Sequence, residues 1–150
     1  MKGVLIEQTG GTEVLQYRTD LPVPSPKANE VLIKNAAIGV NYIDTYFRTG
    51  LYPSEKPEIL GKEGAGLIVS LGPEVKDLAE EDRVVWTAPN GGYAEFSVAP
   101  AEKTIKIPEA LSESDACAAL LQGLTALTLV EEAHKVEKDD WVMVLAASGV

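Results

Sequence analysis

The chain has 150 residues, 45% of them hydrophobic, a formal net charge of −10 and a single cysteine. This length and apolar content suffice for one core, while the negative charge argues against general binding to nucleic-acid phosphates or anionic membranes. One cysteine excludes an internal disulfide and a cysteine-rich zinc site. No run approaches the roughly 18 apolar residues of a membrane span, and Glu7 interrupts the first apolar residues before they could serve as a secretion signal. We therefore expect a cytoplasmic protein without a membrane partner.

Glycine and proline divide the first two thirds of the chain into short segments that are rich in β-branched and aromatic residues. Such segments are typical of strands. Seven of them are predicted, at residues 2–7, 14–19, 30–40, 64–71, 83–87, 93–99 and 103–107. Seven short strands in one small domain indicate a barrel or a sandwich.

The pattern changes to helix at Ser112, which is followed three residues later by Asp115 in a shortened form of the capping box. Helix-forming residues continue to Val136, with Gly123 as a candidate break. After a polar turn, residues 141–147 form an unbroken apolar run, which predicts a strand covered on both faces.

Residues 148–150 begin a glycine turn directly after this predicted strand. A helix, a buried strand and a glycine turn open a parallel α/β domain, and in dinucleotide-binding domains the glycines of that turn let the backbone approach the pyrophosphate. Gly149 is then a candidate cofactor-binding residue. The same three residues also fit an ordinary turn.

The segment GVNYIDTYFRTGLYP is a second candidate site. Asn41 precedes a helical pattern in which Tyr42 and Tyr46 share a face. Asp44 has the favourable four-residue spacing for an ion pair with Arg48. On local grounds alone, the asparagine is a helix cap, the aspartate is a first-turn acid, and the aromatic side chains fill the core.

This segment closely resembles the zinc-free quinone oxidoreductases, the zeta-crystallin-like branch of the medium-chain dehydrogenase/reductase superfamily. The resemblance extends along the chain in GGTEVLQY, NEVLIKNAAIGVNYIDTYFRTGLYP, LGKEGAGLIVSLG, EDRVVW, GGYAEF, KIPEALSESDA, LLQGLTAL and LAASGV. It implies a mainly β fold with short helices. A GroES-like β-barrel catalytic domain would occupy residues 1–124, and the first helix and strand of a Rossmann cofactor domain would occupy residues 125–150. The chain would end before the glycine fingerprint is complete, and the dimer contacts of a full-length homodimer would lie mainly in the Rossmann sheet.

The resemblance also implies where substrate and NADPH bind. Asn41, Tyr46 and Tyr52 become candidate catalytic residues that face the nicotinamide. A hydride delivered to a quinone or enone leaves negative charge on the acceptor oxygen, which hydrogen-bond donors stabilise, and tyrosine stays protonated at neutral pH. We expect Tyr52 to donate to the substrate and Tyr46 to lie nearer the cofactor. The candidate cofactor-binding residues are Asn41, Tyr42, Ile43, Asp44, Tyr46, Gln122, Thr125 and Gly149.

In zinc-dependent relatives of this family, a cysteine occupies the place of Asn41 and a histidine that of Lys62. Neither residue here is a ligand type that zinc prefers, so the resemblance implies an enzyme without a metal to polarise an alcohol. This favours reduction of acceptors that are already electrophilic. Glu63 has two interpretations: a group that supports the cleft, or a solvated ion pair with Lys62, which is the commoner arrangement.

We therefore expect NADPH-dependent reduction of quinones, by hydride or by single-electron transfer. The preference for NADPH over NADH comes from the resemblance. Two alternatives stay open. An enone or alkenal reductase on the same scaffold shares every feature named so far, and a non-enzymatic interaction or structural module would carry the same barrel with an inert cleft.

Overall fold

The fold is given by a computed structural model, which describes residues 1–145. Within these residues it contains eight strands: β1 Gly3–Ile6, β2 Gln16–Arg18, β3 Glu30–Ile38, β4 Glu58–Ile59, β5 Glu63–Leu71, β6 Arg83–Thr87, β7 Phe96–Pro100 and β8 Thr104–Lys106. Neighbouring strands run antiparallel and form two sheets, in the orders β2-β1-β4 and β7-β3-β5-β6-β8.

The helical elements are α1 Tyr42–Thr49, α2 Glu113–Leu127, a π-helical stretch Thr128–Ala133, and 3₁₀ turns at Thr12–Val14 and Ala101–Lys103. Helix α2 begins as predicted, because the backbone N–H of Asp115 donates to the hydroxyl of Ser112 at 3.1 Å. The break considered at Gly123 does not occur, since one exposed glycine costs a helix only about 1 kcal/mol relative to alanine. The predicted domain boundary between residues 124 and 125 falls inside α2.

The larger sheet carries the main core on one face. Val31 and Ile33 of β3, Ile68 of β5, and Val84 and Trp86 of β6 are fully buried there. Residues two apart in a strand point to the same face of the sheet. Val31 and Ile33 of β3 therefore contribute to the same core as Val84 and Trp86 of β6. Burying each of these aliphatic side chains contributes about 1.5–3 kcal/mol.

Helix α2 covers the opposite face of the same sheet. Ala65 of β5 and Val85 of β6 pack there against Ala116 and Cys117 of the helix. Glu63 lies two residues before Ala65, so its side chain points to the same face. The start of β5 therefore directs a carboxylate toward α2, and this places the candidate site.

Each of the seven predicted strands overlaps an observed strand, so the predicted mainly β fold is confirmed. The two-residue strand β4 was not predicted, because two residues are too few to show an alternating pattern. The predicted strand at 93–99 begins only at Phe96. Residues 93–95 instead bind the first strand, where Val4 N–H donates to the Tyr93 carbonyl at 2.8 Å. This segment joins the two sheets.

One helical stretch, Glu113–Ala133, is long and apolar enough to cross a membrane by length and composition alone. The sequence expectation that no run approaches a membrane span is therefore wrong for these 21 residues. Polar residues such as Gln122 interrupt the apolar run, but the mean hydropathy of the stretch stays high enough for a membrane span. Core helices of soluble proteins have the same length and composition, so this finding does not assign the helix to a membrane.

The predicted strand at 141–147 is wrong over residues 141–145, which are not in a strand. The side chain of Trp141 is 102% exposed, and the next four residues are exposed as well. A strand of this apolar type needs hydrogen-bonded neighbours and cover on both faces, and no strand within residues 1–145 pairs with it. The last two residues of the predicted strand lie outside the described residues.

Candidate active site

Asn41 stands at the N-terminus of α1, and its position follows from local hydrogen bonds. Its backbone N–H donates to the Asp44 carboxylate at 2.9 Å, and the Asp44 N–H donates to the Asn41 carbonyl at 3.0 Å. The predicted helix start and first-turn acid are therefore confirmed. The expected ion pair between Asp44 and Arg48 is not formed, because Asp44 is only 4% exposed and accepts from the Tyr93 hydroxyl at 2.7 Å instead.

The side-chain amide of Asn41 belongs to a closed set of hydrogen bonds that we call the amide–carboxylate ring. Asn41 Nδ2 donates to Glu63 Oε1 at 2.9 Å, and the backbone N–H of Leu121 donates to Glu63 Oε2 at 3.1 Å. Gln122 Nε2 completes the ring by donating to Asn41 Oδ1 at 3.0 Å. The ring, made of Asn41, Glu63, Leu121 and Gln122, connects α1, β5 and α2.

Glu63 is fully buried, which contradicts the commoner interpretation of a solvated ion pair with Lys62. The Lys62 ammonium group lies 3.9 Å from the centroid of the Phe47 ring and donates to the Pro89 carbonyl. Lys62 lies just before β5, and its side chain contacts Phe47 and Pro89, whereas the side chain of Glu63, the first residue of β5, is directed toward α2. Glu63 therefore supports the cleft, and its charge is met by the donors of the ring.

Gly39 makes room for this carboxylate. A Cβ atom at position 39 would lie 2.1 Å from Glu63 Oε1 and 2.4 Å from Glu63 Cγ. Real side chains do not approach so closely, so any larger residue would displace the carboxylate from Asn41. A glycine two residues before Asn41 therefore leaves the space that the carboxylate occupies.

The tyrosines of the candidate site form an aromatic cluster, made of Tyr42, Tyr46, Phe47 and Tyr52. Gly50 ends α1 with a φ of 85°, and the returning chain lets Tyr52 N–H donate to the Tyr46 carbonyl at 3.1 Å. The rings meet edge to face, with centroid distances of 5.5 Å for Tyr42–Tyr46, 5.3 Å for Tyr46–Tyr52 and 5.5 Å for Phe47–Tyr52. Tyr42 is 75% and Tyr52 43% exposed, so the cluster presents aromatic edges and hydroxyl groups to solvent.

Burial shifts the pKa values of two groups behind this cluster. Desolvation lowers the pKa of Lys62, and the nearby Asp44 charge counteracts the shift. Desolvation and the hydrogen bond to Asp44 raise the pKa of Tyr93 far above its ordinary value. The Tyr93 phenol therefore remains a donor at any neutral or moderately alkaline pH.

A cleft of about 400 Å³ opens beside the ring and is lined by Ala37, Ile38, Gly39, Val40, Glu63, Ser114, Cys117, Ala118 and Gln122. Burial and the Glu63 charge raise the pKa of Cys117 to about 11, so this thiol is protonated and a poor nucleophile at neutral pH. A more open groove of about 530 Å³ shares Ala37, Ile38 and Val40 with this cleft and is lined by none of the predicted site residues.

The structure brings some of the predicted residues together and separates others. Asn41 and Gln122 meet in the ring, whereas Thr125 is exposed and bonds within its own helix, to the Leu121 carbonyl at 2.8 Å. Ile43 is half-buried in α1, and Gly149 lies outside the described residues.

Sequence reasoning gave Glu63 too little weight. Its position in a strand of glycines and other small residues was the available signal, because such residues let a buried carboxylate reach its donors.

Among residues 1–145, no group of three or more histidine, cysteine, aspartate or glutamate side chains has the geometry to hold a metal ion. Around the predicted site the donors are side-chain amides and tyrosine hydroxyls, and the buried Glu63 carboxylate is an acceptor. The site is therefore equipped to donate and accept hydrogen bonds around a polar organic ligand.

Comparison with protein families gives one match. Residues 27–109 match the alcohol dehydrogenase GroES-like domain. The matched segment begins just before β3 and ends after β8, so it includes the start of β5, Asn41 and the aromatic cluster.

Comparison with known proteins gives relatives that are named as reductases or quinone oxidoreductases. The chain is 47% identical over 147 residues to a probable quinone oxidoreductase of Schizosaccharomyces pombe, covering 97% of this chain and 44% of that protein. It is 37% identical to the 2-haloacrylate reductase of a Burkholderia species, covering 97% and 45%. The crystal structure of Escherichia coli quinone oxidoreductase complexed with NADPH superposes with a TM-score of 0.89 at 37% identity, covering 93% of this chain and 43% of that one. The chain spans less than half the length of these relatives.

Proposed function

The chain belongs to the alcohol dehydrogenase GroES-like domain family, and from this premise we propose that it is the catalytic domain of an NADPH-dependent quinone reductase. The observation that carries this proposal is the similarity over 93% of the chain to a quinone oxidoreductase whose structure contains NADPH. The Asn41 amide and the exposed tyrosines support it, because they supply uncharged donors, and Gln122, which donates to Asn41, lines an open cleft.

We assign Tyr46, Tyr52 and Asn41 as the residues that contact the reacting groups. Bound NADPH would supply a hydride or a single electron, and the chain's own residues orient the acceptor and stabilise the charge that develops on its oxygen. Tyr52, with its 43% exposed side chain, donates to the substrate oxygen. Tyr46 lies between the rings of Tyr42 and Tyr52 and faces the cofactor. The flat aromatic edges hold a planar acceptor by stacking and apolar contact.

We further propose that the nicotinamide end of NADPH binds at Asn41, Tyr42, Ile43, Tyr46, Gln122 and Thr125, with Gly149 contacting the pyrophosphate. The residues present fit this group. Within residues 1–145, Asn41 Nδ2 donates to Glu63 alone, which leaves its second hydrogen for a ligand carbonyl. Asp44 is buried, so we assign it to holding the Asn41 backbone rather than to direct contact with the cofactor.

We propose that the reaction proceeds without zinc. An amide at Asn41 and an ammonium group at Lys62 do not supply the thiolate and imidazole ligands that zinc prefers. The Asn41 amide is moreover engaged by Glu63 and Gln122. Without a Lewis acid the enzyme reduces acceptors that are already electrophilic, which describes quinones.

An enone reductase is a second candidate, and one observation favours it. The 2-haloacrylate reductase, at 37% identity over 97% of this chain, is named for a conjugated acid rather than a quinone. Both acceptors place negative charge on an oxygen after hydride addition, so both use the same donors. The identity of the acceptor then depends on the shape of the cleft.

The organisation of the whole protein is also a proposal. We place the start of a Rossmann cofactor domain in residues 125–150, after a catalytic domain of residues 1–124. We expect a cytoplasmic homodimer whose contacts lie mainly in that second domain. Size-exclusion chromatography of the whole protein beside the 150-residue chain tests this organisation, because the shorter chain is then monomeric.

The decisive experiment measures NADPH oxidation by the whole protein with a panel of quinones and of conjugated enones and acids. Quinone-dependent oxidation, insensitive to a chelator, is the expected result.

Replacing Tyr46 and Tyr52 together by phenylalanine is expected to lower kcat by about 10²-fold, as for removal of an oxyanion donor. The non-enzymatic alternative predicts no NADPH binding, whereas NADPH at 100 times its dissociation constant stabilises a binding protein by about 2.7 kcal/mol. Absence of NADPH oxidation with every acceptor would overturn the proposal.

A further inference from the structure

The amide–carboxylate ring contains a fully buried carboxylate whose partners all belong to the candidate site. We propose that Glu63 is a positioning residue, which fixes the orientation of the Asn41 amide and through it acts on the reaction. This inference rests on the proposed reductase function and names a further residue on which that function depends. Glu63 itself is not assigned a contact with substrate or cofactor.

The chemistry of the donors fixes the direction of the amide. An ionised carboxylate only accepts hydrogen bonds, so Asn41 must turn Nδ2 and not Oδ1 toward Glu63. Gln122 enforces the same orientation from the other side, because its Nε2 donates to Asn41 Oδ1. The amide therefore offers its second hydrogen and its second lone pair in one fixed arrangement. A ligand that carries a carbonyl or a carboxamide is the matching partner.

The carboxylate is itself held in place. Its second oxygen accepts from the Leu121 N–H of α2 at 3.1 Å, and Gly39 leaves the space in which its first oxygen lies. A fully buried charge is costly unless hydrogen bonds compensate it. Here they come from α2 and from the residue before α1, so Glu63 keeps these two elements in register as well as orienting the amide.

The test replaces Glu63 by glutamine in the whole protein. A glutamine at this position presents one acceptor and one donor to two donors, so either Asn41 turns over or one donor loses its partner. We expect kcat to fall by about 10- to 100-fold, the range for a small misplacement at an active site. The KM for the acceptor is expected to stay within about twofold, because Glu63 does not itself contact the acceptor.

Ser97→Ala is the matched control, since Ser97 is 2% exposed and hydrogen-bonded to Asn35 but does not touch the ring. It is expected to lower stability and to leave kcat unchanged.

A double-mutant cycle separates positioning from general structural support. In an Asn41→Ala background, Glu63→Gln is expected to cause no further loss of kcat, because the residue through which it acts is gone. An equal loss in both backgrounds, or an unchanged kcat in Glu63→Gln, overturns the inference. Wild-type protein without reductase activity overturns the proposed function instead, so the two failures are distinguishable.

A second variant covers poor folding of Glu63→Gln. When Asn41→Asp and Glu63→Gln are combined, every donor again meets an acceptor. The new amide at position 63 donates to the new carboxylate at position 41 and accepts from the Leu121 N–H, and that carboxylate also accepts from Gln122. We expect this double variant to recover the melting temperature of the wild type but not its kcat, because the second Asn41 hydrogen is absent. Failure of the double variant to recover folding overturns the ring as the cause.

Discussion

The hydroxyl of Tyr93 donates a 2.7 Å hydrogen bond to the carboxylate of Asp44, and so joins the segment between the two sheets to the first turn of α1. The same carboxylate oxygen accepts from the Asn41 backbone at 2.9 Å. Asp44 is 4% exposed, so these donors replace water at Oδ2, whereas Oδ1 is buried without a hydrogen-bond partner among the described residues. The position of Asn41 therefore depends on a tyrosine that is far away in the sequence.

Replacing Tyr93 by phenylalanine is expected to lower the free energy of unfolding by about 1.5–3 kcal/mol, the contribution of a hydrogen bond to a charged group. The loss arises because the buried Asp44 carboxylate loses a donor. Urea denaturation of the 150-residue chain measures it. Tyr17→Phe is the control, because the Tyr17 side chain is 65% exposed and its hydroxyl remains in water in the folded state. Equal stability of the two variants would contradict the assigned bond.

The stabilisation by Tyr93 should also depend on pH. Its pKa is raised above the ordinary value of 10.0, so above that pH the folded state binds more protons at this group than the unfolded state does. The contribution is complete below about pH 10 and is lost as the pH rises through the raised pKa. The stability difference between wild type and Tyr93→Phe is therefore expected to be constant from about pH 7 to pH 9 and to shrink above pH 10. A stability difference between wild type and Tyr93→Phe that grows with pH would contradict a raised pKa of Tyr93.

The strands were predictable because successive side chains of a strand point to opposite faces, so a short stretch of sequence is enough to show the pattern. Val84, Val85 and Trp86 alternate between the two faces of β6, and each face is covered by a different partner. The hydrogen bonds at the start of α1 were predictable for the same reason, since Asn41 and Asp44 are three residues apart. The resemblance to known sequences supplied the family, which the match to residues 27–109 confirms.

The connections between distant segments were not predictable from local patterns. Glu63 follows Lys62 directly, and neighbours of opposite charge usually form a solvated pair. Only the tertiary fold brings Leu121 and Asn41 to the Glu63 carboxylate. The predicted strand at 141–147 failed for a related reason: an apolar run becomes a buried strand only where other strands pair with it.

Two glycines should respond to alanine in opposite ways. At Gly39 a new Cβ would lie 2.1 Å from Glu63 Oε1, so Gly39→Ala is expected to lose about 1–3 kcal/mol by overpacking. At Gly123, in α2, a new Cβ meets no atom within 4 Å, so Gly123→Ala is expected to gain about 1 kcal/mol from helix propensity. Denaturant unfolding of both variants gives the comparison. A neutral Gly39→Ala would show that the carboxylate has room to move, which would weaken the case for a fixed ring.

Cys117 should resist alkylation in the folded protein. Its pKa rises from 9.0 to about 11 through burial and the Glu63 charge, which reduces the thiolate fraction by about 100-fold at neutral pH. Its side chain is also only 3% exposed. A thiol reagent is therefore expected to label the native chain at least about 100-fold more slowly than the chain in denaturant. Since this is the only cysteine, the signal has one source. Similar rates in both states would show that α2 separates readily from the sheet.

The two tryptophans should report opposite environments. Trp86 is fully buried and its Nε1 donates to Asn35 Oδ1 at 3.1 Å, whereas Trp141 is 102% exposed. In Trp141→Phe, the remaining fluorescence is expected to be blue-shifted and shielded from acrylamide. In Trp86→Phe, it is expected to be red-shifted and readily quenched.

The same variants should differ in stability. Trp86→Phe leaves the half-buried Asn35 oxygen without its donor, so a loss of about 1–3 kcal/mol is expected. Trp141→Phe changes an exposed side chain, and its effect should lie within about 0.5 kcal/mol. Shielding of Trp141 in the 150-residue chain, with a stability loss on its replacement, would contradict its exposed position and favour the covered strand that the sequence predicts at 141–147.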